Sequence, residues 1–453
     1  MNSARGKSLW IVCVCLIALT MATFVASASA QEIDASGQWE YAVVDGGAII
    51  AGAQSPDNDQ SHLTIPGELD GYAVTGIGEG AFSGRNDLTG ITIPDSVTSI
   101  GDFAFAGCNS LTDITLPHSL TNIGNFVFSS CINLTGVTIP DSVTSIGNYA
   151  FIFCQGLTSI TIPSSVASIG ANPFSGCLLA YISVSSGNST YADIDGVLFD
   201  KQQKMLVSCP GGRKGEYMVP DGVLSLGEGA FGGCTGLTKI TIPDSVTGIG
   251  DSAFSGCIGL TDLTIPYGVT HISNHMFFQC SGLTNMTISY SVTSIGDGAF
   301  EWCSSLTNIT IPDSVTSIGR SAFSFCSGLT SVTIPGSITT LRYGTFANCG
   351  LTDVIIPDSV TSIETGAFAR CYNLTGITIP DSVTSLGDNV FVDCPALTDV
   401  TIPASVTSIG AKAFDGCDQV LLRVTEGSDA EQYAKGYGIA HAYTNSDTSW
   451  LND

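Results

Sequence analysis

The chain holds sixteen cysteines, and thirteen of them share one register: Cys108, Cys131, Cys154, Cys177, Cys234, Cys257, Cys280, Cys303, Cys326, Cys349, Cys371, Cys394 and Cys417. Thiolates hold zinc when they come in converging pairs such as C-x-x-C, and no such pair occurs, so no metal centre is expected. In an oxidising compartment thiols can cross-link instead. Neighbours one period apart could approach bridging distance, yet a continuous file has no pairing of its own. The reading adopted is a buried file of small apolar thiols, with Cys108, Cys131, Cys154, Cys234, Cys257, Cys280, Cys303 and Cys326 as its structural ladder. Cys209 stands outside the register, and a pairing with it stays open.

Aspartates come next. Asp95, Asp141, Asp221, Asp244, Asp313, Asp358 and Asp381 each follow a proline. Two such carboxylates on neighbouring repeats could share calcium, but no dense D-x-D-x-D-G loop accompanies them. They read as turn residues bonding their own backbone. The five histidines, His62, His118, His271, His275 and His441, lie near no nucleophile elbow, H-E-x-x-H or phosphate loop. No catalytic group and no cofactor is expected. A file of outward threonines (Thr241, Thr264, Thr287, Thr310, Thr333) resembles an ice-binding array, but its neighbouring file is irregular, and threonine is a good surface strand residue.

Most of these residues sit in a repeat, IPDSVTSIGDxAFxGCxxLTxIT. Its most rigid marker is a phenylalanine, at Phe82, Phe105, Phe128, Phe151 and Phe174, then at Phe231, Phe254, Phe277, Phe300, Phe323, Phe346, Phe368, Phe391 and Phe414. The step is 23 residues except for one of 57, before Phe231, and one of 22, before Phe368. A short fixed period is the signature of a solenoid, in which each coil buries its apolar face only by stacking. In the coil from Leu111 to Cys131, Leu111, Ile114 and Leu116 point inward from a strand that Pro117 ends. Leu120 and Ile123 point inward from a second extended run, Gly124 turns the chain, and Phe128 plugs the interior from a short helical turn.

The motif C-x-x-L-x-x-I-x-[IL]-P followed by V-x-x-I-G-x-x-A-F-x-x-C resembles the leucine-rich repeats of the BspA-like, or Treponema pallidum-type, family. It covers about Leu63 to Cys417. The resemblance implies a right-handed stack of about 14 regular coils with parallel β-sheets, a β-rich N-terminal cap and a helix-bearing C-terminal cap. It also implies a bacterial surface or secreted protein, in some members an adhesin.

Six stretches follow from this pattern. Residues 1–30 read as a secretory signal, with Arg5 and Lys7 before an apolar run and Ala28-Ser29-Ala30 at the cleavage site. Residues 31–62 read as a β cap with a hairpin around Asp45-Gly46-Gly47. Coils occupy 63–177 and 221–417. Between them, 178–220 read as irregular coils with a hairpin from Asp195 to Val207. Residues 418–453 read as a cap and tail. The mature chain is expected outside the cytoplasm: secreted, periplasmic or at the cell surface, and not inserted in the membrane. With 40 acidic against 14 basic residues, net −26, nucleic acid and anionic lipid are not expected as partners.

The coils differ chiefly at outward positions. Two after the phenylalanine stands a small or polar residue, except Trp302 and Phe325 on neighbouring coils, and Phe153 earlier. At the position after the coil proline Asp is usual, but two neighbouring coils carry Tyr267 and Tyr290 there. Phe278 lies between these pairs in sequence, and Asp262, Asn285 and Asn308 form a polar file beside them. Clustered outward aromatics anchor interfaces. The expected role is therefore a non-catalytic, adhesin-like binding module for an extracellular protein or glycan. The alternative is a structural spacer or surface-layer component without a dedicated ligand.

Overall fold

Each coil must place its backbone donors and acceptors as well as its apolar side chains, and three walls do so. The computed structural model describes residues 31–54 and 61–444. The signal read at residues 1–30 lies outside the described residues. The chain forms two units, Met1–Phe174 with Ser185–Ser189, and Ser175–Val184 with Thr190–Asp453.

In the first unit, strand Asp113–Thr115 pairs in parallel with Gly90–Thr92 on one side and Gly136–Thr138 on the other. This is the first wall. The second is shorter: Asn122–Ile123 pairs with Ser99–Ile100 and Ser145–Ile146. In the third, Phe103, Phe105 and Gly107 donate their amides to Asn125, Val127 and Ser129 of the next coil, at 3.0, 2.9 and 2.7 Å.

This third wall departs from the sequence reading, which expected a short helical turn around each phenylalanine. A helix keeps its amides to itself; here alternate amides leave for the next coil. The remaining ones close tight turns, as from Ala106 to Phe103 O and Cys108 to Phe105 O. The residues two before and two after the phenylalanine adopt positive φ, +58° at Phe103 and +72° at Gly107, which breaks any helical run.

The interior is a column of rings. From Phe231 to Phe414 in the second unit, consecutive phenylalanines stack at 5.2–5.7 Å. The cysteines line the same interior. All fourteen in the described residues are buried, and Cys209 is a free thiol. The Cys131 thiol donates to Phe105 O at 3.1 Å and Cys280 to Phe254 O at 3.0 Å. Burial pushes the Cys108 and Cys280 thiols up to about 12, so the nucleophilic thiolate is suppressed.

Polar repeat residues have structural work too. The serine after the turn aspartate donates to the previous coil, Ser245 to Val223 O and Ser314 to Val292 O, each at 2.7 Å. The Asp or Asn after the glycine accepts the equivalent amide of the next coil. Asp102 accepts from Asn125 N at 2.7 Å, and Asn125 from Asn148 N at 2.8 Å.

The ends are closed differently. Trp39–Val44 and Gly47–Ala53 form an antiparallel hairpin whose second strand pairs in parallel with Tyr72–Ile77, covering the first coil. At the other end Ser428 caps the helix Asp429–Tyr437. Its Tyr433 meets Phe414 edge-on at 6.2 Å and ends the phenylalanine column. In the insertion, Tyr191–Ile194, Val197–Asp200 and Met205–Ser208 form an antiparallel meander, one strand more than the hairpin read from sequence. Met205–Ser208 then pairs with Ser225–Leu226, so the meander continues the second wall. Asn188, the first residue of an N-x-T triplet, is buried in the first unit and donates to Pro163 O and Val166 O, which closes it to glycosylation.

Candidate partner-binding surface

The residues singled out from sequence separate into a solvent-facing strip and a set packed on the turn wall. All but Phe153 lie in the second unit. Strands Asp262–Thr264 and Asn285–Thr287 pair in register, and isolated bridges carry the alignment on from Thr287 to Thr310 and Thr333. Asp262, Asn285 and Asn308 face solvent. The two amides reach only their neighbours, Asn285 to Thr284 Oγ1 and Asn308 to Thr307 Oγ1, at 3.3 and 3.4 Å. Three residues past each threonine come Tyr267 and Tyr290, 76% and 80% exposed. Two large rings so open, in one register on neighbouring coils, border a strip of hydroxyls and amides.

Trp302 and Phe325 behave differently. They are half-buried and stack face to face, centroids 3.9 Å apart and planes 4° from parallel. Both hold left-handed backbone, φ +65° and +59°. That conformation costs a non-glycine residue about 1–3 kcal/mol, and the ring stack helps hold it. Phe278 joins neither pair; it meets the His275 ring edge-on at 5.7 Å. Phe153 is buried, so the earlier repeat of this pattern is core. The sequence reading passed over a second aromatic file in the first unit: Phe103, Phe126 and Tyr149 stack at 4.8 Å steps two residues before the core phenylalanine. Its signal was an aromatic recurring every 23 residues at that position.

Beside the tryptophan lies a carboxyl that sequence did not flag. Burial raises Glu301 to about 7. Its carboxylate and the His275 ring crowd the same point over Gly298 (φ +57°), where a side chain would collide with the imidazole. Burial likewise depresses His275, against the opposing pull of Asp251 and Asp297. A carboxyl raised in the fold stabilises it below the unfolded value and loses that contribution as pH rises through about 7. Glu301→Gln is therefore expected to raise the melting temperature at pH 8 by about 2–4 °C and to change it little at pH 4.5. Thermal melts across that range check this; an equal shift at both pH values would remove the titration as the cause.

The BspA type Leucine rich repeat region profile matches residues 75–205, 215–304 and 293–420. Among solved structures, the chain is similar to a leucine-rich repeat protein from Bacteroides ovatus, at 26% identity over 93% of this chain and 99% of that one, TM-score 0.44. It is also similar to one from Eubacterium ventriosum, at 24% identity over 86% and 95%, TM-score 0.48. A third is the Treponema pallidum leucine-rich repeat protein, at 26% identity over 51% and 91%, TM-score 0.35. No curated protein matches the chain. No helix among the described residues is long and apolar enough to cross a membrane. With the profile spanning most of the coils and its repeat motif built into each wall, the chain belongs to the BspA-type leucine-rich repeat family.

Proposed function

We propose that this chain is a secreted or cell-surface, non-catalytic binding protein, adhesin-like in action, that holds an extracellular protein or glycan. The exposure of Tyr267 and Tyr290 on neighbouring coils carries the reading. Each ring gains about 1.5–3 kcal/mol when a partner covers it, and the flanking Asp262, Asn285 and Asn308 offer hydrogen bonds that fix orientation. The leader read at residues 1–30 and the net charge of −26 support an exported setting away from nucleic acid and anionic lipid.

The test is surface plasmon resonance of the purified chain against a panel of extracellular-matrix proteins and glycans, beside a Tyr267→Ala/Tyr290→Ala variant. At least one saturable interaction is expected, weakened about thirtyfold or more in the variant, with an unchanged melting temperature. A sharp fall in that temperature would make the rings part of the core. A silent panel from folded, monodisperse protein would favour the structural spacer.

A further inference from the structure

Two columns of the repeat fail together at one place in the second unit. The first is the glycine after the inward Ile or Leu of the second wall. A Cβ at Gly250 would stand 2.6 Å from the backbone of the preceding coil, and one at Gly296 2.8 Å. This crowding explains the glycines; Ser273 breaks the column once, its buried hydroxyl bonded to Ile249 O at 2.6 Å while the relay below continues, and the two coils after Gly319 carry Arg342 and Glu364. The second column is the amide relay: Asn274 N donates to Asp251 Oδ1 at 3.1 Å, Asp297 N to Asn274 Oδ1 at 2.9 Å, and Arg320 N to Asp297 Oδ1 at 2.7 Å. It stops at Arg320, is absent at Tyr343 and Thr365, and resumes at Asp388, which accepts from Ala411 N.

Where both columns lapse, a groove of about 710 Å³ opens, lined by Arg320, Tyr343, Ser362, Glu364, Ser385 and Asp388 among others. That volume is in the range of small-ligand sites. The groove offers one 53% exposed phenol ring in Tyr343. It adds a guanidinium, a serine pair with hydroxyls 3.2 Å apart, and two carboxylates that each keep an oxygen beyond their backbone bond. We propose that this groove is a carbohydrate site that takes a neutral oligosaccharide. A pyranose presents a C–H face to stack on the Tyr343 ring, and hydroxyls that both donate and accept. Asp388 and Glu364 accept from them, Arg320 donates, and the serines do either. An acidic glycan meets net −26 and two carboxylates with one guanidinium. A peptide strand finds no open edge, because Ser362–Ile363 is paired on both sides, with Thr340–Leu341 and Ser385–Leu386. The groove uses a surface separate from Tyr267 and Tyr290, so the two readings stand or fall independently.

The experiment titrates the full chain with neutral hexasaccharides of glucose, mannose, galactose or N-acetylglucosamine, with heparin and a mixed peptide library as controls, by saturation-transfer NMR and calorimetry. At least one neutral hexasaccharide should bind saturably. Tyr343→Ala and Arg320→Ala should each weaken it about tenfold, Tyr343→Phe by less than about threefold because the ring remains, and Tyr267→Ala/Tyr290→Ala not at all. Both altered side chains are solvent-exposed, so folding is monitored by circular dichroism as a control. Binding that survives Tyr343→Ala, binding of heparin or peptide alone, or no binding by any hexasaccharide overturns the proposal.

Discussion

Alanine at Phe300 is expected to destabilise the second unit by about 3–5 kcal/mol. The side chain is fully buried and sandwiched between Phe277 and Phe323, both at 5.2 Å and nearly parallel to it. Removing it deletes both stacks and leaves a void that the neighbouring coils cannot fill. Their positions are held by backbone bonds on all three walls, including Phe300 N to Ala322 O at 2.8 Å. Because coils in a solenoid couple chiefly to their neighbours, the loss should also divide the unfolding transition, with coils on either side of the gap melting apart. Phe300→Leu keeps most of the volume and should cost less than about 1.5 kcal/mol. Urea titrations followed by circular dichroism compare the three proteins. A cost below about 1 kcal/mol for Phe300→Ala would mean that the ring column is not what binds coil to coil.

That column was legible in the sequence because phenylalanine recurs at fixed depth in every coil, and cysteine in every coil after the first, and a side chain that must meet its own copy above and below tolerates little change. The conformation that delivers the ring was not. Ala-Phe-x-x-Cys reads as one turn of helix, and nothing in the letters says that Phe103, Trp302 or Phe325 will take positive φ, which aromatic residues seldom adopt. The relay from Asp102 to Asn125 to Asn148 was hidden for another reason. A polar residue after glycine is expected in any turn, and its role as a rung appears only when the next coil's amide is seen against it. Tyr267 and Tyr290 stood out because they replace an aspartate at a surface corner. The groove beside Tyr343 is marked in sequence only by the lack of glycine at Arg342 and Glu364, and a missing small residue gains meaning only once the crowding of that column is known. Scaffold is read from what repeats, and candidate sites from where repetition lapses.

That crowding yields the second large expectation, in the first unit. Gly147 does not have a positive φ, so alanine there meets no torsional penalty. The obstacle is space: its Cβ would come 2.6 Å from the carbonyl carbon and oxygen of Gly124 and 2.7 Å from Asn125 N. All three are backbone atoms, and Gly147 N is itself bonded to Ile123 O at 2.8 Å, so neither partner can turn aside as a flexible side chain would. Relief requires that two coils separate at the second wall. The movement would strain the parallel pair Asn122–Ile123 with Ser145–Ile146 and the amide from Asn148 to Asn125 Oδ1. Gly147→Ala is accordingly expected to cost about 1–3 kcal/mol. Gly136 serves as the control: it lies on the first wall of the same coil with nothing within 4 Å of its Cβ position and no positive φ. Alanine at Gly136 should be neutral or add a few tenths of a kcal/mol by narrowing the unfolded ensemble. Denaturant titrations of the two variants separate crowding from the general effect of losing a glycine. Equal behaviour would show that the second wall has slack between coils, and that its glycines are kept for a reason other than space.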